Sequence, residues 1–203
     1  VGANIGTHTL IMGKLVGESG RVFAFDPHKE SAMRLKENIG LNNMPQVEAV
    51  EFALSSKEGT MTLFSYSDEM ADHGTASLYD LPNLQKTAVE VSVSTIDAFV
   101  EEKNPNRLDF IKIDTRGSDF PIILGARESI RKFKPFIIFE FNRENWTHSG
   151  FKWEEAKMFF DQNSYNLYFI GQKNIIPVGT SPVFTTSHNI LAIPKSRASE
   201  TDL

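Results

Sequence analysis

"VGANIGTHTL", residues 1–10, sets two glycines four positions apart, directly ahead of an apolar pattern of helical period running from 7 to 16. Leu10, Met12 and Leu15, with Ile11 and Val16 beside them, give that helix a broad face expected to be buried. "RVFAF", residues 21–25, is a compact strand closing on Asp26 and Pro27. Glycine loop, helix, strand and terminal carboxylate are the parts of a nucleotide-type site. The first glycine permits a tight turn, the backbone approaches the ligand, and the carboxylate accepts two ribose hydroxyls. The dinucleotide fingerprint G-x-G-x-x-G is broken, however, because Asn4 stands where its middle glycine would bring a pyrophosphate to the helix N-terminus. This favours a nucleoside cofactor with no phosphate to cradle over NAD.

Outward from that loop, the helix over 29–39 places Ala32, Leu35 and Ile39 on one side, with Met33 alongside, and Gly40, Asn42 and Asn43 stop it. "VEAVEFAL", 47–54, is a strand again, so helices and strands alternate as in a βαβ fold with a parallel sheet. The segments 59–67 and 88–96 alternate with period two and read as an inserted antiparallel β-hairpin, added to the sheet or folded beside it. The polar stretch 68–80 between them, with Asp72, His73, Gly74 and Ser77, is either a lid over a substrate or a plain surface excursion. A short helix over 97–102 leads to the strand "LDFIKID", 108–114, whose Asp114 lies at the carboxyl end, where an open α/β sheet keeps its ligands. Gly117 and Pro121 shape the next turn, a helix covers 122–130 with Leu124 and Ala126 inside, and "PFIIFEF", 135–141, is another interior strand. A helix over 153–163 buries Ala156, Phe159 and Phe160, and 165–171 with 188–194 form a hairpin. Residues 1–195 make one domain, and 196–203 are a frayed polar tail.

With 203 residues, an apolar fraction of 40 % and a net charge of -5, the chain fills one core and carries no Lys/Arg block suited to duplex nucleic acid. The absence of cysteine excludes thiolate metal sites, disulfides and cysteine nucleophiles, and no apolar run approaches the roughly 20 residues of a membrane span. A cytoplasmic location is expected. No metal site, H-E-x-x-H or G-x-S-x-G element is present in the sequence.

"VGANIGTHTL", "VFAFDP", "STIDAFV", "LDFIKIDTRGSDFPIILGA" and "NILAIP" together resemble the FkbM family of S-adenosylmethionine-dependent methyltransferases, along essentially the whole chain and starting just inside that family's first strand. The resemblance implies a Rossmann-like, doubly wound seven-stranded sheet with an antiparallel last strand, the class I methyltransferase fold. It also implies bound S-adenosylmethionine and methyl transfer, usually to a hydroxyl oxygen of a small molecule or sugar. On the matching positions, Gly2, Asn4 and Gly6 would line the methionine part, Asp26 would hold the ribose, and Ala53 with Leu54 would run past the adenine. Asp114 and Gly117 match the acid and glycine after the fourth strand, whereas Arg116 stands where the family has an acid and points to an anionic acceptor.

Methyl transfer is an in-line displacement, so the protein must align the acceptor oxygen, exclude water and take up a proton. Asp114 would hold the donor's ammonium or assist the acceptor, or would simply cap the following helix. His73 and His148 are the imidazoles available as a base; Ser77, Arg116, Glu140 and Asn142 are the residues expected on the acceptor side. Arg116 has an alternative as an ion partner of Asp119 or Glu140. An NAD-dependent oxidoreductase and a non-catalytic binding domain are the rival readings.

Overall fold

The computed structural model describes residues 1–66, 76–80, 86–179 and 187–201. The elements along the first half are α1 (Thr7–Val16), β1 (Val22–Phe25), α2 (Lys29–Leu41), β2 (Val47–Val50), β3 (Ala53–Leu54), β4 (Gly59–Tyr66), β5 (Ala76–Ser77) and β6 (Lys86–Ser94). The second half holds α3 (Ile96–Lys103), β7 (Phe110–Ile113), α4 (Asp119–Leu124), α5 (Arg127–Phe133), β8 (Phe136–Phe141), α6 (Arg143–His148), α7 (Trp153–Gln162), β9 (Tyr165–Ile170), β10 (Ile175–Pro177) and β11 (His188–Pro194).

The α/β alternation is as expected, but the strands form three sheets rather than one of seven strands. β1 and β2 pair in parallel; β10-β9-β11-β8-β7 form a second sheet and β3-β6-β4-β5 a third. Within the second, β7 and β8 are parallel and β11 runs antiparallel to both β8 and β9. The gap between the first two of these sheets falls at residues 1–3. Gly2 and Ala3 N–H both donate to Phe25 O at 3.0 Å, and Asp114 N–H donates to Val1 O at 3.2 Å, so this segment sits between β1 and β7. These few bonds link the two edges without a ladder that would merge them.

Three further expectations are corrected. The strand over 47–54 changes partner midway: β2 stays with β1, and β3 leaves to pair in parallel with Val93 and Ser94 of β6. The β4–β6 pair is antiparallel, as expected, and of the two places left open for it takes the one beside the sheet, in that separate β3-β6-β4-β5 sheet. The helix over 122–130 is two helices, α4 and α5, parted at Gly125 and Ala126, and Gly125 lies so close to the backbone of Ser55 that a Cβ there would be 2.1 Å from its carbonyl oxygen. The tail is not frayed from its start: Lys195–Glu200 winds into a 3-10 helix, where Arg197 pairs with Glu200, donates to Lys134 O and lies over the Phe136 ring.

The core surrounds the central strands, with Ile137, Phe139, Ile190 and Ala192 fully buried. Trp146 stacks against Phe120 and Phe139, and Phe160 against Phe139, so α4, α6 and α7 are all fastened to one face of β8. Each such ring contributes on the order of 1.5–3 kcal/mol through removal from water. α7 buries Ala156, Phe159 and Phe160 as its spacing predicts. α1 does not behave as predicted. Its buried residues are Thr9 and Gly13, while Leu15 is 79 % exposed and Ile11 and Val16 also face out. Gly13 explains the reversal: a Cβ there would be 2.6 Å from Val47 Cγ2, so the helix rides close to β2 on its small residues.

Candidate functional site

The 1–6 loop lies at the carboxyl ends of β1 and β7, and β8 runs parallel beside β7. Gly2 has φ +72°, and a Cβ on it would sit 2.0 Å from Asp114 O; Gly6 has φ +104° and faces Leu35 Cδ1. Asn4, in the place of the fingerprint's middle glycine, adopts φ 48°, a left-handed conformation that Asn tolerates better than most residues. The loop is held by Asp26. Its Oδ2 accepts Asn4 N–H at 2.7 Å and its Oδ1 accepts His28 N–H at 3.0 Å, tying the loop, the end of β1 and the N-cap of α2 together. Burial pushes the Asp26 carboxyl up, and these two backbone donors oppose the shift. Asn4 Oδ1 is buried with no partner, a condition that proteins rarely tolerate outside a ligand site.

These features fit a nucleoside: two glycines with no room for a side chain, Gly2 against the Asp114 backbone and Gly6 against Leu35, an unpaired acceptor in Asn4, and a carboxylate whose oxygens each keep a lone pair beyond the bond they accept. Ala53 and Leu54 are fully packed, so only their backbone is presented.

Asp114 ends β7 half-exposed and pairs with Lys112 Nζ at 2.8 Å. In the turn that follows, Gly117 has φ +94° and lies against Asn145 O of α6, where a Cβ would be 2.9 Å away. The side chain of Arg116 is exposed, and its carbonyl accepts Ser77 Oγ–H at 3.0 Å. Ser77 Oγ also accepts Tyr79 N–H at 3.0 Å, so this buried hydroxyl is already engaged and acts on the Arg116 backbone. The ion pairs of the described residues do not include Arg116 with Asp119 or Glu140, and Asp119 is turned inward.

On β8, Phe141 faces the core and Glu140 the opposite side, half-buried, with Oε1 accepting Ser187 Oγ–H. Asn142 serves as the N-cap of α6, its Oδ1 accepting Asn145 N–H at 3.1 Å. His148 is in the last turn of α6, exposed, with Nδ1–H donating to Glu144 O at 2.8 Å. Since a carbonyl only accepts, the proton is fixed on Nδ1 and Nε2 is the basic nitrogen of the neutral ring. His73 lies outside the described residues.

The residue that sequence reasoning named only as a possible partner of Arg116, and did not place in the site, is Asp119. Only 1 % exposed, in the first turn of α4, it accepts Thr115 N–H at 3.4 Å and Glu140 N–H at 3.3 Å on Oδ1, while Oδ2 has no partner. Burial first, then the Glu140 and Asp114 carboxylates, raise its pKa to about 8. The only sequence signal was an acid near a helix start, which ordinarily means a solvated cap. Among the described residues, no three His, Asp or Glu side chains are grouped as a metal site would need, and no helix is long and apolar enough to cross a membrane.

A family model described as the Methyltransferase FkbM domain matches residues 1–167. Among solved structures, the fold is similar to methyltransferase FkbM from Methylobacillus flagellatus KT, with TM-score 0.60 and 14 % identity over 94 % of this chain and 41 % of that one. It is also similar to a putative rRNA-methylase from Clostridium thermocellum, with TM-score 0.52 and 11 % identity over 94 % of this chain and 82 % of that one. A third likeness is to precorrin-6y C5,15-methyltransferase from Geobacter metallireducens GS-15, with TM-score 0.50 and 12 % identity over 96 % and 76 %. Identities this low carry the fold alone, and the chain spans 41 % of the length of the Methylobacillus protein. No curated protein matches the chain.

Proposed function

The chain belongs to the FkbM methyltransferase domain family, and we propose that it binds S-adenosylmethionine and methylates a hydroxyl oxygen of a small molecule or sugar. The observation that carries the reading is the Asp26–Asn4 bond of 2.7 Å, which closes the glycine loop over the end of β1 and leaves Asn4 Oδ1 unpaired. Gly2, Asn4 and Gly6 cradle the methionine part and Asp26 the ribose. The backbone of Ala53 and Leu54 runs past the adenine.

When bound, the cofactor supplies a methyl group already activated as a sulfonium. The work left to this chain is to orient the acceptor oxygen, exclude water and receive its proton. Asp114 holds the donor's ammonium, its Oδ2 shared with Lys112. Arg116 faces the acceptor side, where its guanidinium suits a carboxylated or phosphorylated acceptor. Glu140 and Asn142 close the same side, Asn142 through its cap of α6, and Ser77 holds the Arg116 backbone. His148 Nε2 and His73 are the bases assigned to the acceptor proton. In strand order, β2, β1, the 1–3 segment, β7, β8, β11 and β9 read as the seven positions of a class I methyltransferase sheet, a reading supported by the bonds of residues 1–3 to Phe25 and Asp114.

Calorimetric titration with S-adenosylhomocysteine and, separately, NAD tests the proposal. Saturable binding of the first and none of the second is expected; the opposite pattern, or no binding of either, overturns it.

A further inference from the structure

Asp119 is a fully buried carboxylate that the methyl-transfer reading does not use. Its Oδ1 is the common acceptor of two backbone N–H groups from different elements, Thr115 in the turn after β7 and Glu140 near the end of β8. A Glu140 N–H spent on this bond and a Thr115 N–H at the head of the 115–118 turn make Asp119 the link between the loop that carries Asp114 and Arg116 and the strand that carries Glu140. Thr115 N is one residue from Asp114, and Asp114 O is the atom against which Gly2 packs. The side chain therefore reaches, through one turn of backbone, the contact between the glycine loop and β7.

We propose that Asp119 is a positioning residue of the cofactor site, which pins the Asp114–Gly117 turn to β8 and so sets the donor-holding Asp114 against Gly2. The inference rests on the reading of the 1–6 loop and Asp114 as the cofactor site. Two buried polar atoms without partners, Asp119 Oδ2 and Thr115 Oγ1, mark the same turn. Either form keeps Oδ1 as the acceptor of both N–H groups, but the anion also places a desolvated, unpaired charged oxygen beside like charges. The charged groups acting on it are Glu140 from β8 and Asp114 from the end of β7. Both are negative, and burial adds to them, so its proton is held up to about pH 8. Ionisation leaves a desolvated charge beside Asp114 and Glu140, a cost that the two N–H bonds to Oδ1, which favour the anion, offset only in part.

The test uses the parent protein, D119N and D119A, with S-adenosylhomocysteine as the probe, between pH 6 and 9.5. If only the uncharged form binds, affinity of the parent falls about tenfold by pH 9, in proportion to the competent fraction left by a group titrating near 8. D119N, neutral at every pH and able to accept the same two bonds, stays level across that range, apart from any change it shares with the parent through the ligand's own titration. D119A binds weakly throughout. Amide hydrogen exchange of Thr115 and Glu140 is measured alongside: protected in the parent at pH 6 and in D119N, unprotected in D119A. An alkaline loss in D119N equal to the parent's, or protection of both amides in D119A, overturns the proposal. A parent that never binds the probe refutes the cofactor reading instead, while the exchange data still decide whether Asp119 holds the turn.

Discussion

Gly2 and Asp114 are in backbone contact across the gap between β1 and β7, so close that a Cβ at position 2 would stand 2.0 Å from the Asp114 carbonyl oxygen. Glycine is required there twice over, because its φ of +72° is also one that other residues adopt only with strain. Gly2→Ala should cost about 1–3 kcal/mol of stability and move the loop off Asp26, with S-adenosylhomocysteine binding lost. Thermal melting with calorimetry checks both. A variant that melts and binds like the parent would show that the segment shifts without consequence.

Asp26 is the second point of attachment. Asp26→Ala removes the acceptor of the Asn4 and His28 N–H groups and the carboxylate proposed for the ribose. S-adenosylhomocysteine affinity should fall by roughly 1.5–3 kcal/mol, since bonds to a charged acceptor are the stronger kind. Asp26→Asn keeps one acceptor oxygen and should fall between the two. Identical titration curves for all three proteins would remove Asp26 from the site.

How much of this was legible in the sequence depends on whether a residue's role is local. The 1–6 loop, Asp26 at the end of β1 and Asp114 at the end of β7 were readable, because glycine spacing and strand ends report backbone geometry directly. The burial of α7 followed from its period. The inward face of α1 was misread because an apolar pattern says nothing of how close a helix lies to its sheet; Gly13, packed on Val47, decided it. The close approach of Gly125, between α4 and α5, to the Ser55 backbone some seventy residues earlier has no local signal. Asp119 was left out of the site for the same reason. An acid at a helix start looks solvated until β8 and the 115–118 turn close around it.

That closure has a thermodynamic signature. The Asp119 carboxyl titrates at about 8 in the folded protein against 3.8 as its ordinary value. Between these, the folded state retains a proton that the unfolded chain has released, so the group's contribution is complete below 3.8 and is lost as pH rises through about 8. The loss is on the order of a few kcal/mol. Asp119→Asn should therefore melt close to the parent at pH 5 and clearly above it at pH 8.5. Parallel melting curves across this range would mean that the carboxyl is ionised throughout.

The last prediction concerns the acceptor. The side chain of Arg116 is exposed, and its backbone is held from a different sheet by Ser77, whose hydroxyl donates to Arg116 O and accepts Tyr79 N–H, both at 3.0 Å. Guanidinium charge and backbone position can thus be altered separately. Arg116→Gln leaves the Ser77 bond in place and removes the charge, so it should raise KM for carboxylated or phosphorylated acceptors and leave neutral ones unaffected. Ser77→Ala removes the tether and leaves the charge. It should weaken turnover of both classes alike, because the side chain is still present but no longer fixed, at a cost of roughly 1 kcal/mol for the lost bond. Neither change touches Asp26, Asn4 or Gly2, so affinity for S-adenosylhomocysteine should remain within about twofold of the parent. The decisive comparison is steady-state kinetics on matched neutral and anionic acceptors with the two variants. A preference for the anion that survives Arg116→Gln would place the recognition of charge elsewhere on the acceptor side, and Glu140, held by Ser187, would then have to act against it.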